Sequence, residues 1–183
     1  MKSFHLFLIL ALMASAVSAQ EVKFPKVDSS PADVLYYPLN AVKVKDDSKP
    51  QIKVIYSRPA KKGRDIFGAL EPFGKVWRVG ANESTEIRFF NAVTIGGKKI
   101  EAGTYSLFAV PNADKWEIII NKQTDRWGAY TYDKAKDVVR VEVPVKALGE
   151  VVENLSMTFV PKGKGADLVI GWDKTSVELP ISF

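Results

Sequence analysis

The chain contains no cysteine, and its one histidine, His5, stands within the first few residues. Without cysteine there are no disulfides and no thiol nucleophiles, and a mature chain that has lost His5 has no imidazole. Ser–His–Asp and Cys–His mechanisms are then closed to it. So is the ordinary zinc or copper site built on nitrogen and sulfur ligands. No Asp-x-Asp-x-Asn-Gly run offers a calcium loop, and the sequence implies neither metal nor cofactor. Beyond the N-terminus, no apolar run approaches the length of a membrane-spanning helix. The formal charge of +5 is scattered rather than gathered into blocks, which argues against a nucleic-acid partner. The remaining chemistry belongs to carboxylates, Lys, Arg, Tyr, Ser and Thr.

The N-terminus, MKSFHLFLILALMASAVSAQ, has the layout of a secretory signal peptide: Lys2, an apolar run over residues 4–17, and small residues before the cleavage point. Cleavage after Ala19 is expected, making residues 1–19 the signal and the mature protein periplasmic or secreted. No cysteine follows the small-residue site to carry a lipid. An exported domain without disulfides must be held together by its core, and the mature length suits one domain of ordinary size.

Residues 20–50 read as an N-terminal arm rich in Pro, Ser and Asp. Ser30-Pro31 followed by Asp33 predicts a short helix over residues 31–36, with an extended arm as the alternative, and residues 43–50 read as an exposed polar turn. From Gln51 onward the pattern is that of strands. Ile52, Val54 and Tyr56 alternate, as do Val139, Val141 and Val143, and Gly96-Gly97 marks a hairpin. About eight to ten short strands at intervals of about ten residues predict an all-β, single-domain antiparallel β-sandwich over residues 51–183, jelly-roll-like, with a β-barrel as the alternative. Helical content is limited to single turns near residues 65–70 and 133–136. The terminal VELPISF resembles the last strand of a membrane barrel, but Pro180 reads as a residue of an edge strand.

Charges, glycines and aromatics are densest between Arg58 and Arg88. In the run from Trp77 to Thr85, Gly80 and Asn82 suit a bend with positive φ. One reading makes this bend structural, with Arg78 and Glu83 paired across it and Trp77 packed on the core. The other makes it a cleft wall in which Arg58, Arg64, Lys75 and Arg78 bind an anionic group, Trp77 and Asn82 shape the site, and Glu83 serves as acid or base. The glycines beside Arg64 and Lys75 lack the helix start or Gly-Lys-Ser/Thr sequence of a phosphate loop and read as turns.

Trp116 and Trp172 fall in strand registers and are expected in the core, whereas Trp127 follows a polar loop and is the better candidate for an exposed sugar-stacking face. Glycoside hydrolysis needs two facing carboxylates; Glu71, Glu83, Asp125 and Asp133 are the candidates.

Segments FPKVDSSPADVLYYP, SRPAKKGRDIFGALEPFGKVWRVGANESTEI, GKKIEAGTYSLFAVP and WEIIINK resemble a family of exported proteins common in Bacteroidetes, catalogued as domain of unknown function 2911. The resemblance runs from Phe24 to the C-terminus and implies an envelope or secreted location and an all-β domain; it brings no activity. The leading expectation is therefore an envelope-associated β-sandwich that binds a glycan or another anionic envelope component without catalysis. A carboxylate-dependent glycan hydrolase, and a structural protein with no small-molecule site, are the alternatives.

Overall fold

The structure, a computed structural model, describes residues 21–41, 43 and 49–183. The expected signal peptide and most of the polar turn at 43–50 lie outside the described residues.

The chain forms two antiparallel sheets. The first contains β1 (Ala32–Tyr37), β2 (Ile52–Ser57), β3 (Thr85–Phe89), β6 (Gly103–Pro111), β7 (Lys115–Asn121) and β8 (Asp137–Pro144), in that spatial order. The second contains β5 (Lys98–Ile100), β4 (Val93–Ile95), β10 (Gly165–Ser182) and β9 (Lys146–Lys162), again in that order. Alternation in the sequence becomes one buried face per strand. Ile52, Val54 and Tyr56 on β2 face inward with Thr85, Ile87 and Phe89 on β3. Opposite them lie Leu168, Ile170, Trp172, Val177, Leu179 and Ile181 of β10, in one continuous core. The fold is the expected β-sandwich, and the sheets do not close into a barrel.

Among the described residues, helix is confined to one 3-10 turn, Lys134–Lys136, capped by the Asp133 side chain, which accepts from the Ala135 N–H. The short helix expected over residues 31–36 is instead strand β1. Asp33 does not cap a helical turn; its carboxylate accepts from the adjacent Val34 N–H and pairs with Arg58. The ladder on β2, Ala32↔Ser57 through Tyr37↔Ile52, satisfies the backbone that a short isolated helix would leave open. The sandwich accordingly takes in Ala32–Tyr37, and residues 21–31 precede it as an arm without helix or strand. Pro180 lies on an inner strand rather than an edge strand, but past the last β9 partner, Ser176↔Lys146, so its missing N–H interrupts no pairing there.

Phe108 and Ile119, paired across β6 and β7, point away from the main core and are nevertheless buried. The segment after β7 covers them. Tyr132 packs its ring 5.3 Å from Phe108 and donates to Asp137, and Arg140 bridges Glu117, Asp137 and Tyr132. This network anchors the connection that carries Trp127 and Tyr130.

Candidate functional site

Residues 58–84, between β2 and β3, wrap the sandwich without forming a strand, and one aromatic cluster pins them. Phe67 and Trp77 from this segment pack with Trp116 of β7 and Trp172 of β10, with centroid separations of 4.7 Å for Phe67–Trp116 and 5.7 Å for Trp77–Trp116. Ile66 is fully buried beside them. Trp77 also exchanges backbone hydrogen bonds with Ala109 at 2.7 and 2.9 Å. Trp77, Trp116 and Trp172 are therefore core residues, as their register implied for the last two.

A pocket of about 390 Å³ opens beside this cluster, lined by Lys62, Arg64, Glu71, Arg78, Gly80 and Trp172 among others, with Ser29 and Ser30 of the arm on its rim. Arg64 is held by its own backbone: Nε donates to the Lys61 carbonyl at 2.9 Å and Nη2 to that of Ala60 at 2.6 Å. Neither Arg64 nor Arg78 forms an ion pair with a described carboxylate. Arg78 Nε is buried without a partner, as is Trp77 Nε1. Lys61, by contrast, is engaged with Asp173 at 2.7 Å. Two guanidinium groups with spare donors and no neutralising carboxylate suit the binding of an oxyanion.

Among the described residues, Glu71 is the one carboxylate lining this pocket. Its backbone N–H donates to the Ile66 carbonyl and its carbonyl accepts from Gly68, so the turn that buries Ile66 also positions Glu71. Burial pushes its carboxyl up to about 7, while the Arg78 guanidinium, then that of Arg64, then the Trp77 indole N–H pull in the opposite direction. The indole favours the ionised form without closing a hydrogen bond. Desolvation wins because neither guanidinium reaches ion-pair distance.

The bend behind Arg78 is built differently from the expectation. Asn82 has φ of 60° as anticipated, but the other left-handed residue is Val79, with φ of 54°, not Gly80. Gly80 is small for a steric reason: a Cβ there would lie 3.3 Å from both the Ser57 carbonyl and Thr85 Oγ1. Thr85 Oγ1 donates to the Val79 carbonyl at 2.7 Å and the Thr85 N–H to that of Arg78 at 3.2 Å, fixing the bend. A β-branched residue in this region is strained by about 1–2 kcal/mol. A sequence containing Gly80 and Asn82 offered no signal for Val79.

Other expected site residues lie elsewhere. Arg58 is a structural clamp: it donates to Asp33 Oδ2 at 3.0 Å, to the Leu155 carbonyl at 3.0 Å and to Ser156 Oγ at 2.7 Å, joining the β1 edge of one sheet to β9 of the other. It does not join Arg64 and Arg78. Lys75 is exposed after the Gly74 turn and lines none of the pockets described. The anticipated Arg78–Glu83 pair does not form. Glu83 is exposed and lines a second pocket of about 290 Å³ with Glu86, Asp125 and Arg126 on the outer face of the first sheet. Trp127 bridges to Glu83 by its backbone and is 60% exposed; Tyr130, on the same loop, is 82% exposed. Gly128 links this loop to Arg78: its missing Cβ would lie 2.9 Å from the Tyr130 ring and 3.3 Å from Arg78 Nη1. Among the described residues, no group of three or more carboxylates is placed to hold a metal, and no helix is long and apolar enough to cross a membrane.

Fold and site together define an all-β sandwich with a basic pocket beside an aromatic cluster and exposed aromatics on a neighbouring loop. The chain belongs to the family described as "Protein of unknown function (DUF2911)", whose model matches residues 38–181. No curated protein and no solved structure matches it.

Proposed function

We propose that this protein is an exported, envelope-associated β-sandwich that binds an anionic ligand, such as an acidic glycan, without catalysing a reaction on it. The observation that carries this reading is the convergence of Arg64 and Arg78, neither ion-paired with a described carboxylate, on one concave surface with Lys62. Trp127 and Tyr130, exposed on the loop that meets Arg78 at Gly128, supply planar faces for sugar rings. Glu71 stands alone in the pocket, whereas hydrolysis of a glycoside calls for a facing pair. Export rests on the sequence of residues 1–19; N-terminal sequencing of the mature protein tests it, a start at Gln20 being expected and an intact Met1 opposing it.

The binding test is an array of acidic and neutral glycans probed with the wild type and with Arg64→Ala and Arg78→Ala. Retention of acidic glycans by the wild type and loss in both variants supports the reading. Equal signals from all three proteins, or no signal from a folded wild type, would overturn it and favour a purely structural role.

A second reading attaches to the pocket that gathers Glu83, Glu86 and Asp125. Carboxylates lining one cavity suit hydrolysis of a glycan, with Glu83 as acid or base. Turnover of a glycan by the wild type that is lost in Glu83→Gln would support it; full turnover in that variant would remove Glu83 from the role.

A further inference from the structure

We infer that the pocket of Arg64 and Arg78 takes a sugar-borne oxyanion, a carboxylate or a sulfate ester, and that Glu71 binds it as a carboxylic acid, donating a hydrogen bond to the anion. The inference rests on the anion-binding reading above and adds to it the ligand class and the part played by Glu71.

The geometry starts from the turn at residues 66–71. Ile66 is buried in the core, and the backbone bonds Glu71 N–H to Ile66 carbonyl (2.9 Å) and Gly68 N–H to Glu71 carbonyl (2.9 Å) tie Glu71 to it. Glu71 therefore lines the same pocket as Arg64 and Arg78 but does not come within 4.0 Å of either guanidinium. A carboxylate free to swing would close a bidentate pair with one of them. Held back, it leaves the guanidinium donors open to another anion and becomes a neighbour of whatever binds there.

That neighbour must be neutral to be favourable. An ionised Glu71 would repel a bound oxyanion across a partly dehydrated pocket, whereas the protonated carboxyl donates to it. The groups facing Glu71 are Arg64, Arg78 and the Trp77 indole N–H, with Lys62 on the pocket wall, and no second carboxylate among the described residues lines it. Arg78, which lines the pocket, also carries a buried Nε without a protein acceptor. Burial already brings the Glu71 carboxyl into the neutral pH range, so an arriving anion finds the proton present or takes it up on binding.

The test is calorimetric titration of the full mature protein with glucuronate and with glucose 6-sulfate from about pH 5.5 to about pH 8.5, in buffers of different ionisation heat. Neither ligand titrates in this range, so any linked proton belongs to the protein. Uptake approaching one proton at the alkaline end, with affinity falling about tenfold per pH unit above 7, is the expected result with either anion. Glu71→Gln, which keeps a donor and cannot ionise, should bind with little pH dependence at the acidic wild-type affinity. Wild-type binding that is flat with pH and takes up no proton overturns the role of Glu71 while leaving the anion site intact. Equal affinity for neutral glucose, or no binding of either anion by folded wild type at any pH, overturns the anion site itself.

Discussion

Trp77 and Trp172 stack almost in parallel, their ring centroids 6.1 Å apart and their planes 16° apart. One comes from the irregular segment between β2 and β3 and the other from β10 of the second sheet, so the stack fastens that segment to the sandwich. Trp172 also donates from Nε1 to the Glu153 carbonyl at 3.1 Å and lines the basic pocket. The same side chain thus serves the core and the site.

Trp172→Ala should therefore cost about 3–5 kcal/mol, the usual loss for an aromatic removed from a packed core. Urea unfolding followed by far-UV circular dichroism measures it. A loss below about 1 kcal/mol would show that the cluster does not hold the 58–84 segment in place.

The raised carboxyl of Glu71 has a stability consequence whose sign is opposite to that of an ion-paired carboxylate. Its folded-state value of about 7 stands above the ordinary 4.5, so ionising it opposes folding. The penalty is absent below the lower value, grows as pH rises between the two, and is complete above the upper one. It amounts to at most about 3 kcal/mol, less where water reaches the group. Glu71→Gln should be more stable than the wild type at pH 8 and nearly equal to it at pH 4; equal stabilities at both would contradict the shift.

Arg58 and Arg64 should separate cleanly. Arg58→Ala removes three hydrogen bonds that tie β1 to β9, and should cost about 1–3 kcal/mol without changing affinity for an acidic sugar. Arg64→Ala should weaken that affinity at least about tenfold, the loss of one charge-assisted contact, with a smaller effect on stability. Thermal unfolding and calorimetric binding on the two variants make the comparison.

Gly128 and Gly63 form a matched pair, both with positive φ, at 63° and 71°. Alanine at either should cost about 1–2 kcal/mol from the backbone alone. At Gly63 the new Cβ meets nothing within 4 Å, whereas at Gly128 it strikes the Tyr130 ring and crowds Arg78 Nη1. Gly128→Ala should therefore weaken anion binding and Gly63→Ala should not, as measured by the same titration.

The sandwich was legible because a half-buried strand writes its burial into every second residue. Val54 and Ile87 alternate locally and also pair across β2 and β3, so period and partner agree. At β1 the sequence leaves a short helix and an extended arm open, because Ser30-Pro31-x-Asp33 is a genuine local signal for a helix start, and the pairing with the free edge of β2 that decides for the extended form is not local. The candidate site was legible only in part. Composition and spacing single out Arg64 and Arg78, which line one pocket, and Trp127, which is exposed. Glu71 was visible only as one carboxylate among several, because its distinction is desolvation beside two unpaired guanidinium groups. Arg58 looks in the sequence like one more basic residue of the cluster, because nothing adjacent announces Asp33, Leu155 and Ser156 as its partners.

The amino-acid sequence by itself determined that the chain has no cysteine and a single histidine, His5, and it determined the all-β sandwich through a period of two that each strand carries alone. The tertiary structure decided which charges meet. Arg58 is neutralised where two sheet edges approach each other, while Arg64 and Arg78 form no ion pair with a described carboxylate, although Glu71 lines the same pocket. Hydrophobic alternation is a property of neighbours along the chain; a charge's partner depends on distances that only the packed sheets set.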